Sequence, residues 1–317
     1  MHDVGADAAV QLSVLKAGAE GFDPTTPVII SIDRKDPCMK KGSLLDISVG
    51  KFAAKSDQSK KQRVAKSSKI VGDMRAQRPL VGDDIKPVAD LLDSFIDLSG
   101  NVDGTLVPTA MEVPSTPSVY GIEAGYSGAS IEKDHLTTLR LSVRGTRSVV
   151  LARTTSLSMF FRAKRGIGDS EKESPTLRQL QGFFHNMTAE GAKLFTKKDT
   201  LFFATVSDGD ALFVPAGFLV SEVVTAGADQ YGFRRSYLFH TDVGVLQTLS
   251  DEILLLTGKA PPMAAHIKEA HEAVRASTLS SSAKEPGPDG ASDAAKELTA
   301  EGVGELEAAD ANEQRDT

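Results

Sequence analysis

The chain has 317 residues, 40% of them hydrophobic and 25% charged, with one cysteine and a net charge of −7. That is enough apolar material for one large core or two smaller ones. The lone Cys38 excludes an internal disulfide and a cysteine-based zinc site, and nothing approaches the roughly 20 consecutive apolar residues of a membrane helix.

The charge is unevenly placed. Ser281 to Thr317 carries ten acidic and three basic residues, which leaves 33 of each sign in the remainder. A neutral body has no overall field with which to gather nucleic acid or an anionic membrane. The opening residues, Met1 to Ala6, show neither a basic n-region nor an apolar h-region. The expectation is an intracellular protein, cytoplasmic or nuclear, with no membrane partner.

In chain order, Val28 to Ile32 reads as a short buried strand between Pro27 and Asp33. Lys51 to Lys69 is basic and reads as a solvated helix or loop. A helix then begins at the capping residue Asp84, with Pro87 in its first turn. Val88, Leu91, Leu92, Phe95 and Ile96 give it one apolar face, and Gly100-Asn101 closes it. Gly104 to Gly128, rich in Pro, Gly, Ser and Thr, reads as a long loop.

Strand signals follow. Leu139, Leu141 and Val143 alternate with polar residues, Gly145-Thr146 turns, and Val149 to Leu151 continues as a buried strand. Leu157 to Phe161 is a further apolar piece among these strand signals. Leu177 to Met187 has helical spacing, with Leu194-Phe195 beyond it. Thr200 to Val224 reads as three strands separated by turns at Asp208-Gly209 and Pro215-Gly217. Arg235 to His240 adds a strand, Val245 to Leu254 a second amphipathic helix, and Met263 to Arg275 a short helix. Beyond Ser277 aromatics are absent and large aliphatics few, so the tail is predicted to be disordered.

These signals divide the chain into a helical and irregular region at 1–115, a β core at 116–260, a short helix at 261–276 and a disordered acidic tail at 277–317. The fold class is mainly β with flanking helices, an α+β arrangement.

Two segments carry a family resemblance. Ser142 to Val150, SVRGTRSVV, and Gly209 to Phe218, GDALFVPAGF, resemble the strand-and-turn and the second metal-motif segment of cupin-type oxygenases of the JmjC, iron/2-oxoglutarate kind. The resemblance covers Ser118 to Phe239 and implies a double-stranded β-helix core. The family's first metal motif, H-x-D/E, aligns with Glu132-Lys133-Asp134, so the histidine is replaced and the acid kept. His135 lies one residue beyond. The family's third ligand, a histidine, aligns with Val220, which cannot coordinate a metal. Arg147 aligns with the basic position that holds the 2-oxoglutarate carboxylate in some members.

Iron(II) in such enzymes needs two imidazoles and a carboxylate, whereas Glu132 and Asp134 alone make an oxygen-only pair of the kind that suits Mg²⁺ or Ca²⁺. The resemblance therefore implies a metal site largely lost and a non-catalytic cupin-like protein. No cofactor is expected, and the partner would be an unknown protein or small molecule. An iron(II)/2-oxoglutarate oxygenase with substituted ligands is the alternative. A second alternative is nucleic-acid association through the basic segment 51–69, although Phe52 is its sole aromatic and base stacking has little to use.

Other candidates have simpler readings. His266 and His271, five apart, lie on different sides of a helix. His185 and His240 border apolar runs and read as core-edge residues. Asp208 and Asp210 flank Gly209 and read as turn residues.

Overall fold

The structure is a computed structural model. It describes residues 9–17, 23, 25–33, 35–66, 75–96, 116–131, 136–166, 175–225, 227–237 and 239, with isolated positions at 244, 247, 248, 250, 268 and 272. The helices expected at Val245 to Leu254 and Met263 to Arg275, and the tail, lie outside the described residues apart from those positions.

Twelve strands and five α-helices are described. In chain order these are β1 (Val10–Gln11), β2 (Val14–Lys16), β3 (Val28–Ser31), α1 (Leu44–Lys66), β4 (Arg75–Pro79), α2 (Ile85–Asp93), β5 (Ser118–Ile122), β6 (Ser127–Ile131), β7 (Thr137–Arg144) and β8 (Arg147–Arg153). They continue with α3 (Thr154–Arg165), α4 (Leu177–His185), α5 (Ala189–Phe195), β9 (Phe202–Val206), β10 (Asp210–Val214), β11 (Phe218–Val224) and β12 (Gln230–Tyr237).

The strands form two sheets, one ordered β1-β9-β8-β11-β6 and the other β2-β3-β10-β7-β12-β5-β4. The sheets lie face to face: Val149, Leu151, Phe218 and Val220 of the first share one buried cluster with Ile29, Leu212 and Val214 of the second.

The period of two along each strand sorts residues between this interior and an outer helical layer. On β10, Leu212 and Val214 point inward, while Ala211 and Phe213 pack outward with Leu45 and Val49 of α1 and Val88 and Leu92 of α2. On β11, Val220 points inward and Leu219 outward, against Leu157, Leu180 and Phe195 of α3 to α5. Each sheet is therefore covered on both faces.

Several expectations are met. The three strands between Thr200 and Val224 are β9, β10 and β11, turning at Gly209 and Gly217 with φ of 85° and 78°. The Leu177 helix is α4, opened by a capping box of Thr176 and Gln179. The helix following Asp84 is α2. It ends at Asp93, and Asp84 makes no side-chain cap; Phe95 and Ile96 are still buried against the same core.

Three readings differ. The Gly104 to Gly128 stretch contains β5, paired on both sides by β12 and β4. It is a strand because two partners bond its backbone, and Gly121 is needed because a Cβ there would lie 2.9 Å from the Tyr231 ring and 3.0 Å from that of Phe52. Leu157 to Phe161 belongs to helix α3, where Leu157, Phe160 and Phe161 recur at i, i+3, i+4 and face the core. The N-terminal stretch, read as helical and irregular apart from the strand at Val28 to Ile32, supplies three further strands, β1, β2 and β4. Two of them form a strap: β1 bonds β9 and β2 bonds β3, and Leu12 between them inserts into the inter-sheet core.

Cys38 sits in a 3₁₀ turn, Pro37–Met39, capped by the Asp36 side chain. Burial, and after it the hydrogen bond and charge of Asp36, push its thiol up to about 12. Because only the thiolate reacts, iodoacetamide at pH 8 should alkylate Cys38 at least roughly a hundredfold more slowly than free cysteine, and the rate should still be rising at pH 10. A rate with its midpoint near pH 8.5 that has levelled off by about pH 10 would show an ordinary thiol.

Candidate functional site

The polar residues of β7 before Arg144 do not face water. Arg140 and Ser142, alternating with the outward Leu139 and Leu141, are buried between the sheets. The turn that follows carries Gly145 at φ 86°, where a Cβ would meet the Asp229 carbonyl oxygen at 2.7 Å. This reversal starts β8 with Arg147 pointing inward. Arg147 is fully buried, as is Glu222 on β11.

Neutral groups hold the Arg147 guanidinium. Its Nη1 donates to the Tyr120 hydroxyl at 2.8 Å and to Gln230 Oε1 at 2.9 Å. Tyr120 in turn donates to the Leu141 carbonyl at 3.4 Å. Gln230 Nε2 donates to Ser142 Oγ at 3.2 Å, and Ser142 donates to the Gly145 carbonyl at 3.1 Å. Each proton in these relays has a defined acceptor, and the relay through Ser142 fixes which end of the Gln230 amide meets the arginine.

The charges are looser. Glu222 Oε2 lies 3.3 Å from Arg140 Nη1 and 3.7 Å from Arg147 Nε. Both exceed the roughly 2.7–2.9 Å of a well-made charge-assisted hydrogen bond. One carboxylate oxygen is thus shared between guanidiniums from opposite sheets. Burial opposes the charge on Arg147, but Tyr120 and Glu222 together outweigh it and raise its pKa above the ordinary guanidinium value.

Of the residues expected to form a site, Arg147 is at the centre of this cluster. Val220 lies two residues before Glu222 on the same inward face, fully buried beside Phe218, Leu212 and Val214. Opposite Val220 in register stand Ser130 on β6 and Leu151 on β8. Glu132, Asp134 and His135 lie outside the described residues. β6, which leads toward them, runs antiparallel beside β11. Val220 itself offers no atom to a metal, and it packs with Phe218, Leu212 and Val214. Among the described residues no group of three or more His, Cys, Asp or Glu could hold a metal ion.

Tyr120, Arg140, Ser142 and Gln230 are additions that sequence reasoning missed, and Glu222 stood out there only as a polar neighbour of Val220. The signal was present for two of them. Arg140 alternates within β7, and Glu222 is the one charged residue of the largely apolar FLVSEVV of β11.

The remaining candidates fall elsewhere. Of the basic segment 51–69, residues up to Lys66 belong to α1, and its aromatic, Phe52, is buried against the core. Phe52 is therefore not available to stack on a base. His185 lies between Ser127 Oγ at 3.0 Å and Ser221 Oγ at 3.1 Å, which ties α4 to β6 and β11. Asp210 accepts from the Ser207 amide at 2.9 Å and from Ser31 Oγ at 3.0 Å, so it stabilises the turn and bonds β3.

No protein-family model matches the chain, and no curated protein sequence matches it. Among the described residues no helix is long and apolar enough to cross a membrane.

Proposed function

We propose that this chain is a non-catalytic binding or scaffolding protein built on a cupin-like double-stranded β-helix. Strands β5 to β12 support the fold. β5, β7, β10 and β12 are adjacent in one sheet and β6, β8, β9 and β11 in the other, so the chain crosses repeatedly between two facing sheets. The two resembling segments support it further: the first spans the turn from β7 into β8 and the second is β10 with its turn into β11, and β7 pairs with β10 while β8 pairs with β11; β6, leading to Glu132 and Asp134, flanks β11.

The observation that carries the functional reading is Val220. At the place of the third metal ligand stands an aliphatic side chain, fully buried in a packed apolar core. A ligand there would need both a different residue and a polar cavity. On this reading the strand shell is kept without the metal arm, and a small molecule or peptide would enter at the rim of the barrel. One scaffold hosts unrelated functions, so the site rather than the fold carries this reading.

The test is anaerobic titration with iron(II), followed by a 2-oxoglutarate consumption assay. Less than a tenth of an equivalent of bound iron at micromolar metal, with no succinate released, is expected. One bound equivalent with 2-oxoglutarate turnover would instead establish an oxygenase using Glu132, Asp134 and a ligand from elsewhere.

A further inference from the structure

We propose that Glu222 is a built-in counter-ion, occupying the place of an exogenous carboxylate between Arg140 and Arg147, and so closing this interior to small carboxylate ligands. The two guanidiniums come from facing sheets and meet on one oxygen of a side chain anchored in β11. Arg147 takes its orientation from Tyr120 and Gln230 at 2.8 and 2.9 Å, so the cationic site is pre-formed independently of Glu222. The tethered carboxylate reaches its partners at 3.3 and 3.7 Å; an untethered one can approach each more closely. Arg147 Nη2 makes no hydrogen bond among the described residues, which offers a second donor to such an anion. Removing the side chain at 222 leaves a space the size of a short carboxylic acid beside a fixed positive charge. Formate and acetate match it in both volume and charge.

The inference rests on the geometry of the cluster, and the iron titration does not read this contact, so the two can fail separately. The experiment is thermal unfolding of the full chain in formate, acetate and pivalate at one ionic strength, for the wild type, Glu222→Ala, Glu222→Ser and Val220→Ala. Glu222→Ala should lower the midpoint by on the order of 10 °C. Formate or acetate should restore roughly half of that loss in a saturable manner. Pivalate, with the same charge and too much bulk, should not. The wild type and Val220→Ala, which removes only hydrocarbon nearby, should respond identically to all three anions.

A Glu222→Ala midpoint equal to that of the wild type would overturn the proposal. So would equal responses to formate and pivalate, or the same saturable formate shift in the wild type. If Glu222→Ala gives no cooperative transition in any of the anions, Glu222→Ser, which vacates nearly the same space and keeps one hydroxyl for the two guanidiniums, decides. A larger response to formate than to pivalate supports the inference, and equal responses end it.

Discussion

Replacing Arg147 with alanine is expected to cost about 3–5 kcal/mol of unfolding free energy, the range for breaking a buried charge cluster by removing one partner. The side chain is fully buried and bridges both sheets. Its loss leaves the Gln230 Oε1 and Tyr120 hydroxyl without their donor and removes one of the two cations facing Glu222. Urea denaturation checks this, with an unchanged m-value as the condition for interpreting the shift in midpoint. Arg147→Lys keeps the charge, but one ammonium on a flexible stem cannot reproduce a planar fork held at Tyr120 and Gln230. It should retain at least about half of the loss. Arg144→Ala supplies the comparison. Arg144 pairs with Asp46 at the surface, with its side chain 45% exposed, and such pairs contribute about 0–1 kcal/mol. A loss below about 1 kcal/mol at Arg147 as well would mean that the cluster does not order the sheets.

Gly232→Ala should be the most damaging small substitution, costing about 4 kcal/mol or more. A Cβ at 232 would lie 2.0 Å from the Leu141 carbonyl oxygen and 2.7 Å from the Tyr120 hydroxyl. The first obstacle is backbone of the neighbouring strand and cannot rotate away. β12 lies between β7 and β5, and its register with β7 shifts between Tyr231 and Gly232. Relief therefore requires the two strands to separate, and the same movement displaces Tyr120 from Arg147. Soluble yield and the urea midpoint report the loss. Gly182→Ala in α4 is the counterpart: a Cβ there meets nothing within 4 Å, and alanine should add about 0.5–1 kcal/mol by relieving the helix of a glycine. If the two substitutions behave alike, close packing at 232 is not the reason for its glycine.

Elements whose local chemistry agreed with their tertiary surroundings were legible in the sequence. The β9 to β11 block announces itself through alternating apolar residues and through Gly209 and Gly217, which the turns require. Helix α4 does so through its cap and spacing. β5 was not legible: Ser118 to Ile122 contains a glycine within a Pro- and Ser-rich context, and it becomes a strand only because β12 and β4 satisfy its backbone. Leu157 to Phe161 was ambiguous because a short apolar run fits either a buried strand or a helix, and the covering of β8 and β11 by α3 decided it. At the site, the alignment singled out Arg147, but its partners come from positions 120, 222 and 230, whose convergence depends on the pairing of β5, β12 and β11.

The sequence by itself determined where the chain turns, which segments alternate, and that position 220 carries no metal-binding atom. It could not determine what covers each face. Alternation separates residues into two sets but is blind to the layer that each set meets. On β7 the apolar set met helices and the polar set met the facing sheet, so Arg140 and Ser142, written like solvent-facing residues, became interior. Only the packing of two sheets with helices outside both could place two guanidiniums and a carboxylate away from water, because desolvating such groups is tolerable only where partners distant in sequence arrive together.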